Sequence, residues 1–378
     1  MKHVESCGTF GVGHVPYTVA PIRSRLTLTE LGSLNEGRSS LGVCQGQLKC
    51  QRCPITCAQG ARRCAHNAFH GKHAFVATAL FIESCMRLLN LLRYVSSHPL
   101  NEHGKLAAIG RVIRWQIGSR LLPGSVALPY VGDTKLLTSR GMTGATGNWY
   151  CGLHELNEMG FVLHVLRDGD HFLDVGANVG SYTVLAAGGV GARTTAVEPI
   201  PSTFGHLRRN VLLNGLSDRV RCWQGGLSDE DTILRFSSDL DTVNHVLTEH
   251  ESMPAVEVPV TRLDDLVGDD VPTVIKIDVE GHERAVLLGA KKALADRRLL
   301  AVVMETNGSG ARYGISDNDL IELMHGNGFG MYDYEPISRR FSASTPSSEG
   351  NTIFIRNLEA VRARTQTAPR YSLVNGSI

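Results

Sequence analysis

The chain has 378 residues, 42% of them hydrophobic and 20% charged, with a formal net charge of +1. This is the profile of an ordinary globular protein of about two domains, and its net charge gives no overall field that would attract nucleic acid or an acidic membrane. The charge is uneven, however: residues 1–73 hold nine Lys/Arg against three Asp/Glu, net +6, which leaves the remainder at −5.

The first 30 residues lack the continuous apolar core of a signal peptide. The most apolar stretch, residues 74–95, is broken by Glu83, Arg87 and Arg93, so no run reaches the ~20 residues of a membrane span. The expectation is therefore a cytoplasmic protein without a membrane partner and with reduced cysteines. Residues 1–73 show no sustained periodicity. Cys44, Cys50, Cys53, Cys57 and Cys64 precede His66, His70 and His73. These are zinc-ligand types, but the only CxxC is Cys50–Cys53, too poor a spacing for a structural metal site. Residues 1–80 read as a poorly ordered extension outside the working part of the chain, and no metal is expected.

Residues 81–150 read as a helical cap with a connecting loop. A helical pattern opens at Met86 and ends before Pro99. A second helix is expected over residues 105–121, packing through Ile109, Ile113, Ile117 and Leu121, four apart on one face. Residues 126–137 read as strand. Residues 141–150, with three glycines and two threonines, read as a loop leading towards a binding site.

From residue 151 to 358 helical and strand patterns alternate. Short apolar strands are expected at 172–175, 194–197, 220–223, 274–277, 299–304, 330–334 and 352–355. Helices are expected at 181–187, 203–213, 283–294 and 317–325. This alternation argues an α/β fold with a mostly parallel sheet and helices on both faces. Ligands bind such sheets at the carboxyl ends of the strands. Residues 239–251 and 339–351 read as loops near the site, and residues 359–378 as a flexible tail.

The strand ends carry the chemistry. After the first comes Asp174-x-Gly176-x-Asn178-x-Gly180. A dinucleotide loop would have a second glycine where Asn178 stands, and the carboxylate of Asp174 would repel a pyrophosphate. S-adenosylmethionine (SAM), with a sulfonium and an ammonium, suits this loop better. After the second strand comes Glu198-Pro199, an acid placed to accept from ribose hydroxyls. Gly226-Leu227-Ser228-Asp229 forms a turn that could approach an adenine. Asp278 and Glu280 follow the fourth strand and Glu305 follows the fifth. The row Asp174, Glu198, Asp278, Glu305 points to a cationic nucleoside ligand.

In these motifs the chain resembles the FkbM family of methyltransferases. The resemblance rests on Phe172 to Gly180, Val197-Glu198-Pro199, Gly226 to Asp229, Arg262-Leu263-Asp264-Asp265 and, above all, Ile275-Lys276-Ile277-Asp278-Val279-Glu280-Gly281-His282-Glu283. It covers residues 141–356 and implies a class I (Rossmann-like) methyltransferase fold, SAM as donor, and O-methylation of a sugar, glycan or other small metabolite. It also implies that Asp174, Gly176 and Gly180 hold the methionine part of SAM, that Glu198 holds the ribose, and that Asp278 lies near the reacting methyl. Asn178, Pro199, Gly226, Leu227 and Ser228 complete the expected cofactor set.

An aliphatic hydroxyl is a weak nucleophile, so a base is expected. Asp278 and Glu280 are the first candidates, then Glu305, with His282 and His154 behind them. The rival readings are a nucleotide-cofactor oxidoreductase, which the missing glycine and the acid row oppose, and a non-catalytic SAM-fold protein.

Overall fold

The structure is a computed structural model that describes residues 85–238, 243–248, 250–345 and 350–378. The expected extension and its Cys/His cluster lie outside these residues. The chain divides into two compact units, residues 1–91 and 92–378. In the first, residues 85–91 are helical and mostly exposed. In the second, helix α1 (Lys105–Leu121), hairpin β1 (Val126–Pro129) and β2 (Lys135–Thr138), α2 (Thr143–Cys151) and α3 (Leu156–Val165) precede the main sheet.

The sheet begins with β3 (His171–Val175), followed by α4 (Ser181–Val184), which runs on as a π-helical turn over Leu185–Val190. Then come β4 (Arg193–Glu198), α5 (Pro201–Leu213) and β5 (Val220–Gln224). A side sheet follows, made of β6 (Gly226–Ser228), β7 (Thr232–Ser237) and β8 (Ala255–Arg262), and leads into α6 (Leu263–Val267). The main sheet resumes with β9 (Val274–Ile277), α7 (Glu283–Leu288), α8 (Lys291–Ala295), β10 (Ala301–Glu305), α9 (Asp317–Gly326), β11 (Gly330–Glu335), β12 (Arg340–Ala343) and β13 (Asn351–Ile355). The chain closes with α10 (Leu358–Thr367) and the hairpin β14 (Ser372–Leu373) and β15 (Gly376–Ser377).

The eight strands of the main sheet lie in the order β12-β11-β13-β10-β9-β3-β4-β5. Neighbours from β10 to β5 are parallel, and β13 is antiparallel to both β10 and β11. The parallel strands are short apolar runs because both faces are covered. Alternate residues enter opposite cores: Phe172, Ala196, Val274 and Val303 one, Leu173, Val197, Ile275 and Val302 the other. The chain winds outwards from β3 through β4 to β5, then returns to β9 on the other side of β3. The switch point therefore falls between β3 and β9, where a crevice opens at the carboxyl ends.

Several expectations are corrected. The buried face of α1 is Ala108, Arg111, Val112 and Trp115, whereas Ile113, Ile117 and Leu121 are exposed. The deciding contacts are polar as well as apolar: Arg111 donates to Asn101 Oδ1 and to the Tyr150 carbonyl, both at 2.8 Å, and the small Ala108 and Val112 let α2 approach.

The expected loop at 141–150 is largely helix α2, with Ala145, Thr146, Gly147, Asn148, Tyr150 and Cys151 buried. Tertiary packing overrides its low helical propensity. Gly147 is required there, since a Cβ would stand 2.7 Å from the His154 ring.

The expected turn at Gly226 to Ser228 is the buried strand β6, paired with β8. The expected helix 283–294 breaks at Gly289 and Ala290 into α7 and α8, and residue 289 must be glycine because a Cβ there would meet the Ser228 carbonyl at 2.1 Å. Part of the expected loop 339–351 is strand β12. Residues 359–378 are not a loose tail: Asn357 caps α10, and Val361, Tyr371 and Ile378 are buried in the core.

Candidate active site

The loop after β3 is shaped by contacts to its two neighbouring strands. The amides of Gly176 and Ala177 both donate to the Val197 carbonyl, at 3.0 and 2.9 Å. Gly176 has φ +78°, and a Cβ there would stand 1.8 Å from the Asp278 carbonyl oxygen. Asn178 and Gly180 also have positive φ, which Asn and Gly tolerate best. Asp174 is fully buried and accepts from Thr183 Oγ1 at 2.6 Å. Burial raises its carboxyl above the ordinary value, against the pull of Lys276.

Glu198, at the end of β4, accepts from the Asn178 amide and the Ile200 amide, both at 2.9 Å. It thus ties the loop to its own strand end while each oxygen keeps a lone pair. Burial pushes it up to about 7. Pro199 is half-buried between β4 and α5.

At the ends of β9 and β10 the acids crowd together. Asp278, Glu280 and Glu305 each offer a carboxylate oxygen within 4.8 Å of the others, a set able to share a proton or to ligate one cation. Glu280 sits at φ +54° and is pushed up to about 8 by burial, then by Asp278 and Glu283. Glu305 is pushed up to about 10 by burial, then by Asp278 and Glu280. Its Oε1 accepts from Asn307 at 2.7 Å, while its buried Oε2 has no hydrogen-bond partner. Glu283 accepts from the amides of Val279 and Gly281, which fixes the turn that carries Glu280. Burial pushes it up to about 7.

The expected row is therefore real in space: Asp174, Glu198, Asp278 and Glu305 stand at four adjacent parallel strand ends. Sequence reasoning overlooked Lys276. Its ammonium is buried in the apolar strand β9, donates to Asp278 Oδ2 at 2.7 Å and lies 4.8 Å from the centre of the Tyr182 ring. The Tyr182 hydroxyl in turn donates to Glu155 at 2.5 Å. A lysine inside an apolar strand next to an acid was the available signal.

The other candidates fall to the side. His282 is half-buried rather than solvent-facing; its Nε2 lies 3.1 Å from Ser228 Oγ, and burial lowers its pKa. The Nδ1 of His154 is hydrogen-bonded to the Tyr94 hydroxyl at 2.9 Å. Of the loop 239–251 expected near the site, Glu251 reaches it through the 3-10 turn Ser309–Tyr313: Arg312 pairs with Glu251 at 3.7 Å and donates to the Glu280 carbonyl at 3.1 Å. A cavity of about 420 Å³ lined by His171, Arg193, Arg219 and Asp270 lies at the opposite, amino-terminal end of the sheet and touches none of the acids above.

A parallel sheet that switches direction at its first strand, with an antiparallel strand near one edge and this loop at the switch point, is the class I methyltransferase fold. Residues 174–331 match the methyltransferase FkbM domain. It is 28% identical over 169 residues to hexuronic acid methyltransferase AglP of Haloferax volcanii, covering 43% of this chain and 64% of that protein. It is 29% identical to 31-O-demethyl-FK506 methyltransferase FkbM of Streptomyces tacrolimicus, covering 43% of this chain and 74% of that protein. Among solved structures, precorrin-6y C5,15-methyltransferase of Geobacter metallireducens has 14% identity and a TM-score of 0.35, covering 60% of this chain and 98% of that one.

Proposed function

We propose that this chain is a SAM-dependent methyltransferase that methylates a hydroxyl of a saccharide or other small metabolite. The observation that carries the reading is the gathering of Asp278, Glu280 and Glu305 beside the 174–180 loop, at the switch point of the sheet. The donor set fits SAM by charge: even with Glu280 and Glu305 left out, Asp174, Glu198, Asp278 and Glu283 outnumber Lys276 and Arg312, so the site has room for a sulfonium and an ammonium. SAM supplies a methyl group already activated on sulfur, so the protein's task is alignment and proton removal.

In this reading Asp174 and the loop through Gly180 hold the amino-acid part, and Glu198 holds the ribose hydroxyls. Glu280 takes the acceptor's hydroxyl proton, since a carboxyl tuned to about 8 is a far better base than an ordinary one. Glu305, held protonated at neutral pH, donates a hydrogen bond to the acceptor. Lys276 keeps Asp278 oriented towards the same space. The relatives named for a hexuronic acid and for a demethylated hydroxyl compound favour a hydroxyl acceptor.

Calorimetric titration with SAM, S-adenosylhomocysteine and NADH tests the reading. Binding of the first two is expected, weakened about tenfold or more by Asp174→Ala, which removes a charged contact. Binding of NADH in place of SAM would overturn it.

A further inference from the structure

Helix α1 carries two apolar faces where a helix packed on a domain needs one. At about 100° per residue, Leu106, Ile113, Ile117 and Leu121 form a stripe opposite the buried Ala108, Val112 and Trp115. Their exposures are 86%, 51%, 55% and 74%, and Leu122 at the helix end is 62% exposed. Single exposed leucines are ordinary, but a continuous stripe is not. Around the same cylinder Arg114 falls on one flank of the stripe and Arg120 on the other, and Lys105 opens the helix. All three are exposed, and the helix contains no Asp or Glu. Among the described residues none of the three makes an ion pair; Arg120 bonds only Gln116 of its own helix.

We propose that this face lays α1 into the interfacial layer of an anionic lipid bilayer and so holds the domain at a membrane surface. Apolar side chains flanked by arginines are the arrangement that sits about 5–10 Å into the headgroup boundary, with guanidinium groups reaching back to lipid phosphates. No helix among the described residues is long and apolar enough to cross a membrane, so the contact lies along the surface. A second copy of the chain is a poorer occupant. Two such faces packed together would set Arg114 and Arg120 against their counterparts with no acid on the helix to answer them. The expectation of no membrane partner rested on the lack of a spanning run, which leaves a contact along the surface open.

The test is flotation of the full chain with vesicles of phosphatidylcholine alone and with about 30% phosphatidylserine, at low and high salt. Binding to the anionic vesicles is expected, reduced roughly tenfold or more by Ile113→Asp with Ile117→Asp, and made salt-insensitive and weak by Arg114→Glu with Arg120→Glu. Circular dichroism melts should be unchanged, since these side chains face solvent. Three results would overturn the proposal: no vesicle binding by the natural sequence; equal binding by both variants, which would assign the contact to the basic residues 1–73; or a dimer seen by light scattering that the Ile variant abolishes in the absence of lipid.

Discussion

The two ends of the main sheet treat charge in opposite ways. At the amino-terminal end four acids have an arginine partner. Asp270 receives two bonds from Arg193, at 2.7 and 2.9 Å. Asp168 meets Arg219 at 3.0 Å, Asp170 meets Arg364, and Asp296 meets Arg298 at 2.8 Å. Arg193 holds Asp270 below the usual carboxylate range, and Arg298 brings Asp296 down to about 2. At the carboxyl end Glu198, Glu280, Glu283 and Glu305 are buried or half-buried, and burial shifts them upwards to between about 7 and about 10. Pairing of the first kind serves the fold. Uncompensated charge of the second kind costs stability and is characteristic of a site that binds or reacts.

Three changes sharpen this contrast, from the largest effect to the smallest. Lys276→Met removes the buried cation of the crowded end and leaves Asp278 and Asp174 unanswered. A loss of about 3–5 kcal/mol in urea denaturation is expected, and a loss below about 1 kcal/mol would mean that the acids do not depend on it.

Next, turnover should rise with pH and level off above about 8 as Glu280 loses its proton. Glu280→Gln should lower the plateau by about 10²–10⁴-fold and flatten the profile. A profile unchanged in shape would assign the base elsewhere.

Last, Asp270→Asn at the paired end should cost at most about 1 kcal/mol, since both partners are half exposed. Because the folded pKa of Asp270 is depressed, that contribution is present at pH 7 and lost as pH falls through the carboxylate range. The crowded end has the opposite sign. Glu305 is raised from 4.5 to about 10 in the fold, so it draws stability down as pH climbs through that window. Denaturation of Asp270→Asn at pH 3 and pH 7 checks the first sign: an equal loss at both would show that the pair's charge is not what matters.

The site was legible because β3, β4, β9 and β10 each carry an acid within, at or just after their last residues, as in Val274 to Ile277 followed by Asp278. Both faces of such strands are buried, so the charge stands out. Lys276 was hidden by the same rule: within an apolar run one cation reads as noise until the fold places Asp278 and Tyr182 around it. Helix α2 was illegible because its stability comes from neighbours. Thr146 and Asn148 bond back to the preceding turn, and one of the glycines read as loop signals, Gly147, serves close packing against His154 instead. The face of α1 was misread because i, i+4 spacing finds an apolar stripe without saying which side the domain lies on, and Arg111 decided that through its bonds to Asn101 and Tyr150. The side sheet β6–β8 gave no alternating signal strong enough to separate it from loop.

Gly176 bears on how this protein can change over time. Its α-carbon lies so close to the Asp278 carbonyl that any side chain would strike it. The segment assigned to the donor and the segment assigned to the reaction are thus interlocked, and neither can drift without the other. In the proposed function, Arg312, Tyr313 and residues 243–248, which meet Glu280 and one another through a few bonds, are the freer side from which to admit a new acceptor. A library that varies this side should yield altered acceptor preference while retaining the donor, whereas one that varies residues 174–180 should yield mostly inactive protein.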